Sequence, residues 1–159
     1  MLERPKEVSF EFKQPPAPYP PSQRSGAFVG PSGVGKATTC IAMLQGPFKD
    51  CYSRVYVFSP SCAKGVDSAW DAWRKHVNNY MDVPDDEQTM WDTWEPQIIE
   101  ELIAKHRSVN QYLKAKKQKT GYCICVVCDD YADSGDKVMQ FVSVNPSDHG
   151  FNRILDLVA

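Results

Sequence analysis

The chain has 159 residues, 42% of them hydrophobic and 24% charged, with a formal net charge of −2. That length suits one domain with a real core and leaves no room for a second. The mildly acidic balance gives no global attraction to nucleic acid, so any such contact needs a local patch. No apolar run approaches the roughly 20 residues that span a bilayer. The first twelve residues, MLERPKEVSFEF, lack the continuous apolar core of a secretory signal. An intracellular protein, cytoplasmic or nuclear, is the expectation.

Residues 1–24 hold Pro5, Pro15, Pro16, Pro18, Pro20 and Pro21, half of the 12 prolines. Proline fixes φ and removes a donor, so this stretch is expected as an extended, exposed lead-in to a domain over 25–159. Within it EVSFEFK alternates Val8, Phe10 and Phe12, which suits a short edge strand.

SGAFVG, residues 25–30, is a short apolar strand that ends directly in a glycine-rich loop. From Lys36 the string KATTCIAMLQ predicts a helix, and Gly46-Pro47 stops it. RVYVFS predicts a second buried strand over 54–59. Residues 67–80 place Trp70, Trp73, Val77 and Tyr80 at helical spacing, a stripe read as packing a helix on a sheet rather than stacking bases. MDVPDDEQ, residues 81–88, reads as a solvated loop. A long helix over 95–117 follows, with Ile99, Leu102, Ile103, His106, Val109 and Leu113 along one side; His106 there is a packed or hydrogen-bonded residue rather than a catalytic one.

KAKKQK, residues 114–119, sets four lysines at the end of that helix, where the macrodipole favours positive charge. The same cluster suits phosphate contact or an import signal. Residues 122–128, YCICVVC, form an uncharged strand suited to burial on both faces of a parallel sheet. Its Cys123, Cys125 and Cys128 lack a second cysteine pair or histidines at zinc spacing, so they read as small apolar fillers of a reduced protein. Strands alternating with helices give an α/β chain, a three-layer helix–sheet–helix sandwich around a mainly parallel sheet.

Chemistry concentrates at two places. GPSGVGKATT, residues 30–39, follows the phosphate-loop pattern G-x-x-x-x-G-K-[ST] through Gly30, Gly35 and Lys36, but Ala37 stands where a hydroxyl normally reaches Mg²⁺. Glycines at 30, 33 and 35 let backbone N–H groups turn inward around phosphates, the following helix adds its positive end, and Lys36 supplies a point charge. The expected nucleotide-binding stretch is Gly30, Pro31, Ser32, Gly33, Val34, Gly35, Lys36, Ala37 and Thr38. The strand over 122–128 runs into Asp129 and Asp130, a Walker B pattern. Asp129 is placed to hold Mg²⁺ directly or through water, and Asp130 to orient or deprotonate an attacking water, with Lys36 acting on the transferred phosphate. A GTP switch protein would carry D-x-x-G and N-K-x-D. NPSD at 145–148 has Asn145 and Asp148 at that spacing but Pro146 in place of lysine, so an ATPase with its own carboxylate after Walker B fits better.

GPSGVGK, the RVYVFSPS strand, the DSAWDAW stretch and CVVCDDYAD together resemble the poxvirus-type virion DNA-packaging ATPases, a branch of the FtsK/HerA-like P-loop motors. The resemblance covers about residues 25–135. It implies ATP and Mg²⁺ as ligands, Gly30 to Thr38 as Walker A, Asp129 and Asp130 as Walker B, double-stranded DNA as the moved substrate and a homo-oligomeric ring. It also implies a strand inserted between the P-loop strand and the Walker B strand, for which HGFNRILDLVA supplies apolar content. Two departures from that pattern are Ala37 and the early end of the chain, before a polar sensor or an arginine finger. The expectation is therefore a C-terminally truncated ATPase domain that binds nucleotide and hydrolyses it poorly. Its rivals are a non-enzymatic interaction module whose glycine loop is structural, and a small-molecule P-loop kinase, for which no substrate-phosphate arginine cluster or lid is evident.

Overall fold

The computed structural model describes residues 10–22, 26–31, 33–129 and 153–158. The elements run β1 (Gly26–Val29), α1 (Lys36–Gln45), β2 (Arg54–Phe58), α2 (Ser68–Tyr80), β3 (Met90–Trp91), α3 (Pro96–Ala115), β4 (Ile124–Asp129) and β5 (Arg153–Val158). The strands form one sheet in the order β1-β5-β4-β2-β3, and every pairing is parallel. The protein is thus a mixed α/β chain on a parallel sheet.

Crossover handedness explains which helix lies where. The connections β1–α1–β2 and β2–α2–β3 both step toward the β3 edge, whereas β3–α3–β4 steps back. Right-handed crossovers in opposite directions put their helices on opposite faces. Accordingly, Cys40, Ile41 and Leu44 of α1 and Trp70, Trp73 and Val77 of α2 share one core with Val55, Val57, Cys125 and Val127. Ile99 of α3 packs in a second core with Tyr56, Phe58, Ile124, Val126 and Cys128. Strand side chains alternate between faces, so all six residues of β4 are buried. Cys123 and Cys125 belong to the α1/α2 side and Cys128 to the α3 side, so the three thiols do not converge.

β5 lies between β1 and β4. It pairs Gly26↔Leu155 through Val29↔Val158 with β1, and Cys125↔Arg153 through Asp129↔Leu157 with β4. Backbone groups that would face one another unpaired across that gap, each costing about 1–3 kcal/mol if buried, are thereby joined. Residues 149–152 of the segment singled out in the sequence lie outside the described residues.

Three expectations need correction. MDVPDDEQ is not wholly solvated: Glu87 accepts hydrogen bonds from Arg54 Nε at 3.1 Å, Tyr56 Oη at 2.8 Å and Lys105 Nζ at 3.2 Å, and its side chain is only 13% exposed. The loop also leads into β3, whose two residues pair Val57↔Met90 and Phe58↔Trp91. Tyr80 does not join the core stripe of α2 but is 75% exposed, its ring tilted against His76 at 5.1 Å between centroids.

The proline-rich lead-in is attached to the body where it is described. Glu11 bridges Thr120, and Tyr52 Oη donates to the Ser22 carbonyl at 3.2 Å. Gly121 makes the crossing possible, since a Cβ there would meet the Phe10 and Phe12 rings at 2.8 Å. Val8 of the expected edge strand lies outside the described residues.

His106 is buried as expected, bonded to Asn110 at 3.1 Å. Asn110 in turn bonds both the carbonyl and the N–H of Tyr122, taking the place of a strand neighbour just before β4. Burial lowers the His106 pKa, aided by Arg107 and opposed by the backbone hydrogen bond to Tyr122. A histidine with a depressed folded pKa contributes stability that is complete above its unfolded value near 6.5 and is lost as pH falls through the folded value. Glu87 is depressed too: burial alone would raise it, but its bonds to Tyr56, Lys105 and Arg54 outweigh that. Its contribution disappears lower, beneath an unfolded value of about 4.3. Urea unfolding midpoints are therefore expected to fall as pH drops below 6.5, more gently in His106→Gln. Glu87→Gln is expected to lose about 1.5–3 kcal/mol at pH 7, the worth of a hydrogen bond to a charged group. A parent midpoint that stays flat from pH 7 to 5.5 would refute the His106 assignment.

Candidate functional site

The glycine loop leaves β1 and turns directly into α1. Gly33 and Gly35 adopt φ of 81° and 84°, the left-handed region that costs a side-chain-bearing residue energy. Gly35 is also the N-cap of α1, and no described side chain caps that end. Three or four N–H groups at a helix start have no intrahelical acceptor, so this end of α1 is suited to an anion. Lys36 curls back into the loop, donating from Nζ to the Gly30 carbonyl at 2.8 Å and the Pro31 carbonyl at 3.2 Å. Val34 is 58% exposed, and its Cγ2 would lie 3.0 Å from a Cβ at Gly30. Ser32 lies outside the described residues.

Ala37 is half-buried and packs against the α1/α2 core, whereas Thr38 is exposed. Successive helix residues are turned by about 100°, so the Thr38 hydroxyl does not stand in for one at position 37.

Asp129 closes β4 and is 5% exposed. Its Oδ2 accepts from Ser59 Oγ at 2.8 Å and from Trp70 Nε1 at 3.1 Å. Ser59 is itself held, accepting from the Ser61 N–H at 3.3 Å, with the two hydroxyls 3.0 Å apart. Both Ser59 and Trp70 are fully buried. Asp130 lies outside the described residues, as do Asn145 and Asp148.

Register brings the two parts to one edge of the sheet. Phe28 pairs with Leu157, and Leu157 with Asp129. Neighbouring strands are about 4.8 Å apart, which sets Phe28 and Asp129 roughly 10 Å from each other with the loop beginning two residues beyond Phe28. Both lie at the carboxyl ends of parallel strands, where open α/β sheets hold ligands. Sequence reasoning missed Ser59 and Trp70. The sequence marks Ser59 only as the polar residue ending the apolar run RVYVFS; the Phe58↔Cys128 register is what makes it the neighbour of the acid ending ICVVCD. Trp70 carried none beyond its place in an apolar stripe.

Other features lie elsewhere. A cavity of about 520 Å³, lined among others by Phe12, Tyr52, Trp73, His76 and Gly121, sits at the amino ends of β2 and β4, away from the loop and Asp129. At the end of α3, Lys114 lies over the Phe10 ring and Lys116 over the Tyr112 ring, each 5.6 Å from the centroid. Among the described residues no group of three or more His, Cys, Asp or Glu is arranged to hold a metal, and no helix is long and apolar enough to cross a membrane. Comparison of the chain with protein-family models, curated proteins and solved structures finds no match.

Proposed function

We propose that the chain is an ATP-binding domain of the P-loop type, holding the triphosphate on the loop Gly30–Lys36 and Mg²⁺ at Asp129. The observation that carries this reading is the strand order, in which β5 separates β1 from β4 and sets a glycine loop and a buried carboxylate at the same sheet edge. The residues present suit the ligands: left-handed glycines and an uncapped helix start for phosphates, the Lys36 ammonium folded into the same loop, and a hard carboxylate oxygen in Asp129 for Mg²⁺. Lys36 would leave the Gly30 and Pro31 carbonyls for the terminal phosphate, exchanging neutral acceptors for a charged one. Mg²⁺ would neutralise charge on the phosphate oxygens, and Asp130 would orient the attacking water. Ala37 offers the ion no oxygen, so its grip is weaker and hydrolysis slow. Movement of double-stranded DNA by a ring of subunits enters only through the resemblance of the sequence to packaging ATPases, and slow hydrolysis by this chain alone would not sustain it.

The bond pattern of Lys36 favours a rival. A lysine that satisfies the loop's own carbonyls also suits a structural turn in a non-enzymatic interaction module. Calorimetry with ATP separates the two, with Mg²⁺ or with EDTA: the proposal requires binding, tighter with the metal, and the rival requires none. Ala37→Ser sharpens the test. Restoring a ligand hydroxyl is expected to tighten MgATP binding by about 1–2 kcal/mol, roughly five- to thirtyfold, and to leave ATP binding in EDTA unchanged. No gain would mean that the ion is not held beside position 37.

A further inference from the structure

We infer that Ser59 and Trp70 are the positioning residues of the metal site, fixing Asp129 in the one orientation from which it holds Mg²⁺. The inference rests on the nucleotide-binding reading above and adds to it the elements that tune the ion.

Both donors meet the same oxygen. Ser59 comes from the end of β2, the strand beside β4, and Trp70 from the first turn of α2, so Oδ2 is gripped from within the sheet and from the layer above it. An indole N–H only donates, so Trp70 can engage Asp129 only as an acceptor. The serine hydroxyl donates to the same oxygen, while its own oxygen accepts from the Ser61 N–H. A carboxylate has one χ1 and one broad χ2 torsion to lose; two donors at 2.8 and 3.1 Å in a buried setting remove that freedom before a cation arrives. Groups that orient a metal ligand from behind typically govern metal affinity by ten- to a hundredfold. The grip matters more here because Ala37 contributes no oxygen, leaving a larger share of the ion's protein coordination to Asp129.

The chain from Asp129 runs on into α2. Asp67 caps that helix by accepting from the Ala69 N–H at 2.7 Å, which fixes the first turn on which Trp70 sits. Metal occupancy at the sheet edge is thereby tied to the seating of α2, and the Trp70 indole becomes its optical reporter.

The test uses the whole chain and the variants Ser59→Ala and Trp70→Phe, with thermal unfolding to establish that each is folded. ATP affinity is measured by calorimetry in EDTA and across a Mg²⁺ series, and tryptophan fluorescence is followed on adding Mg²⁺ to the ATP-bound parent. Each variant is expected to lose ten- to a hundredfold of apparent Mg²⁺ affinity while its ATP affinity in EDTA stays within twofold of the parent. The fluorescence response of the parent is expected to vanish in Trp70→Phe. Variants that keep the parent's Mg²⁺ dependence overturn the inference and leave the nucleotide site standing. Equal loss of ATP binding with and without metal also overturns it, since the two residues would then only support the fold. A parent that binds no ATP overturns the functional reading and this inference with it.

Discussion

Lys36→Ala is expected to lower ATP affinity ten- to a hundredfold or more while the protein remains folded. A hydrogen bond to a charged group contributes about 1.5–3 kcal/mol, and each 1.4 kcal/mol is tenfold in affinity. In the proposed site Lys36 would offer up to three donors to phosphate oxygens, and losing even one such contact would reach that range. The folded state loses little, because the two carbonyls that Lys36 engages lie in a half-exposed to exposed loop and can turn to water. Backbone N–H groups of the loop and of the α1 start would remain, so residual weak binding is the predicted signature rather than unfolding. Lys36→Arg is not expected to rescue, since a planar guanidinium cannot enter a turn shaped for a point charge. Calorimetry and thermal unfolding on the same samples decide the matter. If Lys36→Ala binds ATP like the parent, the phosphate assignment is wrong; if it instead unfolds several degrees lower with no ligand involved, the structural-turn rival gains.

Local pattern carried most of the architecture. The helix read from Lys36 to Gln45 has those bounds, because a left-handed Gly35 begins it and Gly46 ends it. α2, α3, β2 and β4 differ from their sequence-based limits by one or two residues, the ordinary fraying of ends. What failed was non-local. β3 has two residues and no β-branched run, so nothing in the sequence marks it; it exists because Val57 and Phe58 offer a neighbouring ladder. Glu87 looked solvated in an acidic stretch because its partners Arg54, Tyr56 and Lys105 come from two other elements. The candidate site divides in the same way. The glycine loop and the paired acids are contiguous patterns, readable as such. The contacts of Ser59 and Trp70 with Asp129 span 70 and 59 residues and appear only when sheet register and helix placement are known.

The two tryptophans of α2 lie one turn apart and are nearly fully buried, yet losses of different size are expected of their conservative replacements. Trp73 is 1% exposed, stacks on His76 at 5.1 Å, and its Nε1 has no hydrogen-bond partner among the described residues. Trp73→Ala removes the ring from a core shared with α1 and the sheet and is expected to cost about 3–5 kcal/mol. At roughly 2–4 °C per kcal/mol for a domain of this size, Tm falls by about 6–20 °C. Trp73→Phe keeps a ring against His76 and deletes a donor whose unsatisfied burial costs about 1–3 kcal/mol, which offsets the lost volume. Its Tm is therefore expected within a few degrees of the parent. Trp70→Phe deletes the same atom where it is bonded to Asp129, so the carboxylate loses a partner and Tm falls further than for Trp73→Phe. Parallel thermal unfolding of the three variants tests the contrast. A Trp73→Phe loss as large as that of Trp73→Ala would mean that the indole N–H of Trp73 makes a bond as valuable as that of Trp70, and that the polar anchor of α2 is not confined to the Asp129 contact.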